Sequence, residues 1–144
     1  MEIQIRKTVP GDLQAVYDMI CNLEETSLDF EKFSIIFFSN ISNATNQYLV
    51  AVNNQNVITG MISCHIQNLL HHTGAVAEIM EFFVRDIYRN TGTGSQLLTR
   101  LEEITREQGC VSLEVTAQNK RSMTHRFYLN KNFKQSHLKF TKTI

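Results

Sequence analysis

A glycine-punctuated basic loop is the part of this chain best suited to hold a charged ligand. It reads Arg89-Asn90-Thr91-Gly92-Thr93-Gly94-Ser95 and lies between an apolar run ending at Val84 and the helical pattern QLLTRLEEITREQG. Backbone N–H groups at a helix N-terminus attract anions, and glycine lets the backbone approach a pyrophosphate closely. The loop therefore predicts a phosphate cradle. The bare spacing R-x-x-G-x-G is weak evidence, because it is also typical of an ordinary strand-to-helix connection and matches neither a Walker loop nor G-x-G-x-x-G.

The composition is typical of a globular protein that folds around its own core. With 144 residues the chain is expected to form a single domain, residues 1–144. Fourteen basic residues balance fourteen acidic ones, so no net charge attracts nucleic acid or an acidic membrane. Cys21, Cys64 and Cys110 lack metal-ligand spacing, and their odd number favours free thiols in a reducing compartment. Since no signal peptide or membrane-spanning run is visible, we expect a cytoplasmic protein.

Hydrophobic periodicity predicts the elements that position the loop. Strands are predicted around Ile3 and Ile5 and at residues 48–52, 57–66, 76–84 and 111–117, with one or two closing strands at 133–140. Helices are predicted from Pro10, from a cap at Asp29, from the glycine loop to near Gly109, and at residues 121–129. The Phe-rich stripe of the second helix is interpreted as core: Phe30, Phe33, Ile36 and Phe37.

This order of elements predicts an α/β fold of the α+β kind, with a mixed, mostly antiparallel sheet flanked by about four helices. A strand, a helix and a further strand around the glycine loop form a parallel pair with a right-handed crossover. Ligands bind where neighbouring parallel strands diverge. The predicted cleft therefore lies between the strand ending at Val84 and the strand ending at Ala117.

Two motifs separated by a helix and a strand resemble the GNAT superfamily of N-acetyltransferases over essentially the whole chain. The first is the R-x-x-G-x-G loop after a strand. The second is His125-Arg126-Phe127-Tyr128-Leu129-Asn130-Lys131-Asn132-Phe133, which is similar to the family's A-H-x-F-Y-x-x-x-G-F segment. Thr124 stands in place of Ala and Asn132 in place of Gly. The exchange at Asn132 is mild because both residues accept positive φ.

The resemblance implies acetyl-CoA as cosubstrate and assigns residues to it. Backbone N–H groups of residues 89–95 would hold the pyrophosphate, and Asn119 would contact coenzyme A. Backbone groups of Phe83, Val84 and Arg85 would face the pantetheine and the thioester carbonyl. A turn residue before a helix is the ordinary alternative for Asn119.

The resemblance also implies a catalytic acid and a catalytic base. Tyr128 matches the family tyrosine that protonates the departing thiolate, whereas its ordinary interpretation is an aromatic packed beside Phe127. Glu78 matches a strand carboxylate that serves as general base in some members. Glu81 lies three residues later and points to the opposite face of a regular strand, so both enter one site only if a bulge intervenes. Glu78 is preferred, and a solvated strand residue is the alternative for either.

Further segments resemble bacterial aminoalkylphosphonate N-acetyltransferases: Ala15-Val16-Tyr17, His65-Ile66-Gln67, Leu70-His71-His72, Glu78-Ile79-Met80-Glu81, and residues 125–129, 135–137 and 140–142. This closer resemblance implies an aminoalkylphosphonate as substrate, with Arg126, Lys139 and Lys142 as candidate cations for its phosphonate. Because these relatives are associated with divalent cations, His71, His72 and Glu78, with His65 nearby, form a tentative metal site. Adjacent histidines in a turn are more often polar surface.

The sequence therefore predicts an acetyl-CoA-dependent transferase for a small amine, with a homodimer left open. Two alternatives remain. One is an acetyltransferase for another small amine or a protein amino group, and the other is a non-catalytic module that senses acetyl-CoA.

Overall fold

The computed structural model describes residues 2–118 and 121–144 and contains one five-stranded sheet in the order β1-β2-β3-β4-β5. The strands are β1 Ile3–Lys7, β2 Asn46–Asn53, β3 Ile58–Leu69, β4 Gly74–Val84 and β5 Ser112–Val115. Strands β1 to β4 pair antiparallel, whereas β4 and β5 pair in parallel. This arrangement confirms the predicted mixed sheet with one parallel pair.

Four α-helices in the described residues flank the sheet, as predicted. They are α1 Leu13–Glu24, α2 Phe30–Ser42, α3 Thr93–Glu107 and α4 Ser122–Asn130. The Asp29 side chain accepts a hydrogen bond from the backbone N–H of Lys32 at 2.9 Å, so Asp29 caps α2 as expected. Pro10 begins a 3₁₀ turn that leads into α1.

The two faces of the sheet bury separate apolar clusters. The face toward α1 and α2 packs Val16, Met19, Ile20, Phe37, Val50, Val52, Met61 and Phe83. The face toward α3 packs Leu49, Ala51, Ile62, Cys64, Ala77, Ile79, Leu97, Leu98, Leu101 and Ile104. The interpretation of the whole Phe-rich stripe as core is wrong in part. Phe37 is buried, but Ile36 is 59% exposed, and Phe30 is 43% exposed although its ring contacts Tyr17 of α1 with a ring-centroid distance of 4.9 Å.

One irregularity in β4 bears directly on function. Ser63 pairs with Glu81, but the next residue, Cys64, pairs with Ile79, so Met80 is an extra residue in β4 and forms a bulge. A bulge shifts the alternation of side chains by one position. As a consequence, residues on either side of Met80 that would point to opposite faces of a regular strand point to the same face.

The C-terminal segment departs from the prediction. The closing strands expected at 133–140 are absent, since the structure assigns no strand in residues 131–144. Phe133 packs against the cluster on the α3 face, and every residue from 134 to 144 is exposed. Strand β5 therefore has a hydrogen-bonded neighbour on one side only among the described residues.

Among the described residues, we find no helix with the length and apolar character that crossing a membrane requires. All three cysteines are free thiols, and burial raises the pKa of Cys64 to about 12.

Candidate active site

The two parallel strands part in the middle of β4. Their pairing extends only from Val76 with Ser112 to Ile79 with Val115, whereas β4 continues to Val84. The separation begins at the bulge residue Met80. Beyond Ile79, the second half of β4 has no paired strand on this side among the described residues. We call this unpaired side the gap, and it lies between the two strands where the sequence predicted the cleft.

Only alternate backbone groups of β4 face this gap. The Arg85 N–H donates to the Thr59 carbonyl at 2.9 Å, so it points to β3. Successive residues of a strand direct their N–H groups to opposite edges, which leaves the Phe82 and Val84 N–H groups on the gap side. The Val84 N–H therefore faces the gap, whereas the Phe83 and Arg85 N–H groups face β3. That backbone groups of these three residues contact coenzyme A stays a prediction.

The glycine loop presents a row of unused donors. The first hydrogen bond of α3 runs from the Gln96 N–H to the Gly92 carbonyl at 3.0 Å. Within the described chain, no backbone carbonyl accepts from the N–H groups of residues 90–95. Asn90 and Gly92 adopt φ of 62° and 85°, which curves the loop around these donors. The loop can therefore bind an oxyanion through main-chain groups alone.

The side chains of the loop act mainly within the loop itself. Arg89 pairs with Asp86 at 2.9 Å, donates from Nε to the Val84 carbonyl at 2.9 Å and lies over the Phe83 ring. Thr93 is 1% exposed, and its hydroxyl contacts the Thr91 hydroxyl at 2.9 Å. These contacts attach the loop to the end of β4 and leave its backbone donors available.

Tyr128 approaches the gap from the α3 face. Its ring packs against Phe82, Phe127 and Phe133, with centroid distances of 6.4, 5.6 and 5.3 Å. The residue is 8% exposed, and burial raises the pKa of its hydroxyl to about 12. The hydroxyl makes no hydrogen bond with another described residue and stays protonated at neutral pH. It is therefore available as a proton donor.

The two carboxylates of β4 both lie on the α1/α2 face. Glu78 pairs with His65, and Glu81 pairs with Ser63, two residues apart on regular β3. Directly paired residues point to the same face, and so do residues two apart in one strand. The bulge at Met80 thus satisfies the condition under which Glu78 and Glu81 enter one site. Both side chains are partly exposed.

A polar network continues from Glu81 across the same face. The Ser63 hydroxyl donates to Glu81 Oε1, and the Glu81 N–H donates to Ser63 Oγ at 3.1 Å. Tyr48 lies beside Ser63 and contacts His65 Nε2 at 2.9 Å, while Asn40 Nδ2 donates to the Tyr48 hydroxyl at 3.0 Å. Burial and the charge of Glu81 raise the pKa of Tyr48 to about 12.

The tentative metal site is not assembled. His71 and His72 lie in the 3₁₀ turn before β4, and His72 contacts Glu114 at 3.5 Å. Glu78 lies four residues into β4, opposite His65. In residues 2–118 and 121–144 no three His, Cys, Asp or Glu side chains are grouped so that they could hold a metal ion.

Several residues of the site were missed from the sequence. Ser63, Tyr48 and Asn40 belong to no motif. Phe82 was not among the residues expected to face the cofactor, because the edge that each backbone N–H faces depends on strand pairing. Asn119 lies outside the described residues. The glycine loop follows the end of β4, and Tyr128 packs against Phe82 of the same strand, so both sequence motifs lie near the gap.

Comparisons with known proteins agree with this geometry. The sequence profile described as "Acetyltransferase (GNAT) family" matches residues 13–133. An aminoalkylphosphonate N-acetyltransferase of Salmonella typhimurium is 38% identical over 141 residues, which cover 98% of this chain and 91% of that protein.

Solved structures share the fold at lower identity. A transcriptional regulator from Bacillus halodurans is similar with a TM-score of 0.89 at 24% identity, covering 99% of this chain and 100% of that one. An aminoglycoside 6'-N-acetyltransferase from Acinetobacter baumannii gives a TM-score of 0.85 at 18% identity, with 99% of each chain covered.

Proposed function

The chain belongs to the GNAT family of acetyltransferases, and we propose that it transfers the acetyl group of acetyl-CoA to the primary amine of a small aminoalkylphosphonate. The observation that carries the substrate class is the 38% identity, over 98% of the chain, to an enzyme with that activity. The reaction class rests on the family together with the arrangement of loop, gap and carboxylates.

Residues of the gap fit acetyl-CoA. The unpaired N–H groups of residues 90–95 would hold its pyrophosphate, since helix N-termini bind such anions. The Val84 N–H faces the gap and can donate to the acyl oxygen as negative charge develops there. When bound, acetyl-CoA supplies the acetyl group as a thioester. Loss of one such oxyanion donor lowers kcat by on the order of 100-fold or more.

Glu78 is proposed as the general base. An amine attacks only in its neutral form, so its ammonium must first lose a proton to a nearby carboxylate or to a water that the carboxylate orients. Glu78 lies one residue from the point where β4 and β5 begin to part, on the face that carries the polar network. Glu81 is held by Ser63, and we assign it to orienting the ammonium group beside Glu78.

Tyr128 is proposed as the general acid. A tyrosine hydroxyl is protonated at neutral pH, and burial raises the pKa of Tyr128 further, to about 12. Tyr128 Oη can therefore donate its proton to the departing thiolate of coenzyme A.

The phosphonate requires cationic partners. Arg126 is exposed on α4, and Lys139 and Lys142 are exposed on the C-terminal segment. We retain these three as candidates for the substrate anion. Arg121 is a less suitable candidate, because its Nη2 donates to the Leu23 carbonyl at 3.1 Å and joins the start of α4 to the end of α1.

Thiol release from acetyl-CoA, measured over an amine panel, tests the proposal. The panel contains 2-aminoethylphosphonate and aminomethylphosphonate, with 3-aminopropanoate as the matched amine that carries a carboxylate in place of the phosphonate. We expect kcat/KM to be at least about 100-fold higher for 2-aminoethylphosphonate than for 3-aminopropanoate. This factor corresponds to the loss of two charge-assisted hydrogen bonds when the carboxylate takes the place of the phosphonate.

The other outcomes separate the alternatives. Equal kcat/KM for the phosphonate and the carboxylate would reject the substrate class but retain the enzyme. Turnover of a lysine-containing peptide alone would indicate a protein amino group. Binding of acetyl-CoA by calorimetry without thiol release for any amine would identify a sensor module.

A further inference from the structure

One hydrogen bond joins α4 to the helix layer on the opposite face of the sheet. Arg121 Nη2 donates to the Leu23 carbonyl at 3.1 Å, although the two residues are 98 positions apart in the chain. Helix α1 belongs to the cluster on the α1/α2 face, whereas Phe127 of α4 packs against the cluster on the α3 face. Among the hydrogen bonds of the described residues, no other connects α4 to α1 or α2. The Arg121 bond therefore ties the two layers together.

The carbonyl that Arg121 binds lies in the last turn of α1, Leu13–Glu24. Two neighbouring carbonyls of this turn accept from backbone N–H groups of the residues that follow the helix. Within the described chain, no backbone N–H donates to the Leu23 carbonyl. A cation is favourable at a helix C-terminus, because the last carbonyls there carry partial negative charge. Arg121 thus completes the C-terminal end of α1.

Arg121 is also fixed to the start of α4. The Arg121 N–H and the His125 Nε2–H both donate to the Gln118 carbonyl, at 3.0 and 2.8 Å. The His125 N–H in turn donates to the Arg121 carbonyl at 3.1 Å. The backbone of Arg121 therefore moves together with the first turn of the helix.

Aromatic packing is the second attachment of α4. Phe127 and Tyr128 contact the Phe82 ring, with centroid distances of 5.7 and 6.4 Å. Apolar contacts are non-directional, so they bury Tyr128 without fixing its position along the gap. A helix as short as α4, Ser122–Asn130, is marginal in isolation and depends on its tertiary contacts. The Arg121 bond adds a directional constraint at the other end of this helix.

We propose that Arg121 is a positioning residue: by binding the end of α1, it holds α4 across the open side of the sheet and keeps the Tyr128 hydroxyl at the gap. Tyr128 lies two helical turns after Arg121, roughly 10 Å along the axis. Because the β4–β5 pairing ends at Ile79 and Val115, that pairing does not fix the separation of the two layers beyond it. The effect on catalysis rests on the proposed role of Tyr128 as general acid, whereas the tether does not.

Hydrogen exchange of the full chain, measured by mass spectrometry, tests the tether without any substrate. The variant is Arg121→Met, which removes the guanidinium and keeps an unbranched apolar stem. Amides of α4 should exchange at least about 10-fold faster than in the wild type, because one charge-assisted hydrogen bond is lost. Amides of α3 should be unchanged, since helix α4 can open locally without global unfolding. The control Arg106→Met, on the exposed last turn of α3, should leave the exchange of α4 unchanged.

A double-mutant cycle tests whether the tether acts through Tyr128. Arg121→Met should lower kcat about 10- to 100-fold, the loss expected when a catalytic group is misplaced by about 1 Å. The dissociation constant of acetyl-CoA should stay within about threefold, because the transition state and not the ground state is affected. In the Tyr128→Phe background, Arg121→Met should lower kcat by less than about threefold, since the group that it positions is already absent. A substitution that only destabilised the fold would lower kcat by the same factor in both backgrounds.

The remaining outcomes separate this proposal from the proposed function. Unchanged exchange of α4 in Arg121→Met would overturn the tether. Faster exchange with unchanged kcat, or equal losses of kcat with and without the Tyr128 hydroxyl, would overturn the positioning role and leave acetyl transfer intact. If no amine is turned over, the proposed function fails together with the catalytic part of this proposal, and the exchange measurement alone decides the tether. If Arg121→Met is unfolded by circular dichroism, Arg121→Gln replaces it, and its shorter side chain carries the same expectation.

Discussion

Replacing Tyr128 with phenylalanine removes the hydroxyl group and keeps the ring, so it tests the catalytic role of Tyr128 separately from its packing. The ring contacts with Phe82, Phe127 and Phe133 are retained in Tyr128→Phe, and only the hydroxyl is removed. Since this hydroxyl makes no hydrogen bond with another described residue, the free energy of unfolding should change by less than about 1 kcal/mol. If Tyr128 is the general acid, kcat should fall by about 100- to 10,000-fold. That loss corresponds to about 3–5 kcal/mol in the activation free energy.

Steady-state kinetics and calorimetry provide the assay. The dissociation constant of acetyl-CoA should stay within about threefold, because the hydroxyl acts only as bond cleavage proceeds. Since the pKa of Tyr128 is raised to about 12, its deprotonation should not lower wild-type kcat between pH 7 and 10. A pre-steady-state measurement of acetyl transfer removes any contribution from slow product release.

Tyr17→Phe is the matched control. The Tyr17 hydroxyl donates to the Leu28 carbonyl at 2.6 Å, outside the gap. This variant should lose about 0.5–1.5 kcal/mol of stability and keep its kcat. An unchanged kcat in Tyr128→Phe would refute the acid role and leave the aromatic packing as the function of the residue.

Three further predictions test the loop, the carboxylates and the fold. Gly92→Val should destabilise the chain by about 1–2 kcal/mol and raise the KM for acetyl-CoA, because φ is +85° at this position. The control is Gly11→Ala, since a Cβ at Gly11 meets no other atom within 4 Å. In thermal unfolding and kinetic assays, the control should change neither the stability nor the KM. Glu78→Gln should lower kcat about 100-fold or more, whereas Glu81→Gln should mainly raise the KM for the amine. The control Glu114→Gln, at an exposed residue, should change neither kcat nor KM. If Glu81→Gln lowered kcat and Glu78→Gln raised only KM, the two roles would be exchanged. Asp12→Asn should reduce the free energy of unfolding at pH 7 by about 1–3 kcal/mol, since Asp12 accepts from Arg6 and from the Val9 N–H. Burial opposes ionisation of Asp12, but these hydrogen bonds lower its pKa overall, so this stability is present above the unfolded pKa of about 3.9 and is lost as pH falls through the folded pKa. In chemical unfolding, a wild-type advantage that did not decrease as the pH falls below about 3.9 would contradict it.

The features predicted correctly from the sequence depend on local interactions. Asp29 caps α2 through the N–H of a residue three positions later. The loop at Gly92 and the helix after it likewise follow from glycine and from period-3.6 apolar residues. Each of these signals involves residues within a few positions of one another.

The features that were missed depend on pairing between distant segments. The bulge at Met80 is defined by the register of β3 against β4. The sequence therefore indicates that a bulge is needed to bring Glu78 and Glu81 to one face, but it does not indicate that the bulge is present. The orientation of the Arg85 N–H depends on Thr59, which is 26 positions earlier. The closing strands predicted at 133–140 are not formed among the described residues, because a strand also requires a neighbouring strand to pair with and a local sequence pattern does not specify one.

The bulge also explains how an acid and a base can serve one reaction from opposite faces of the sheet. Glu78 and Glu81 lie on the α1/α2 face, whereas Tyr128 packs on the α3 face against Phe82. In a continuous sheet, paired strands would separate these groups. Because the β4–β5 pairing ends at Ile79, directly before Met80, the sheet is open where the two faces must communicate. The extra residue thus places both carboxylates on one face, and in the proposed mechanism the gap beside it would let Glu78 and Tyr128 act on one acetyl group from opposite sides.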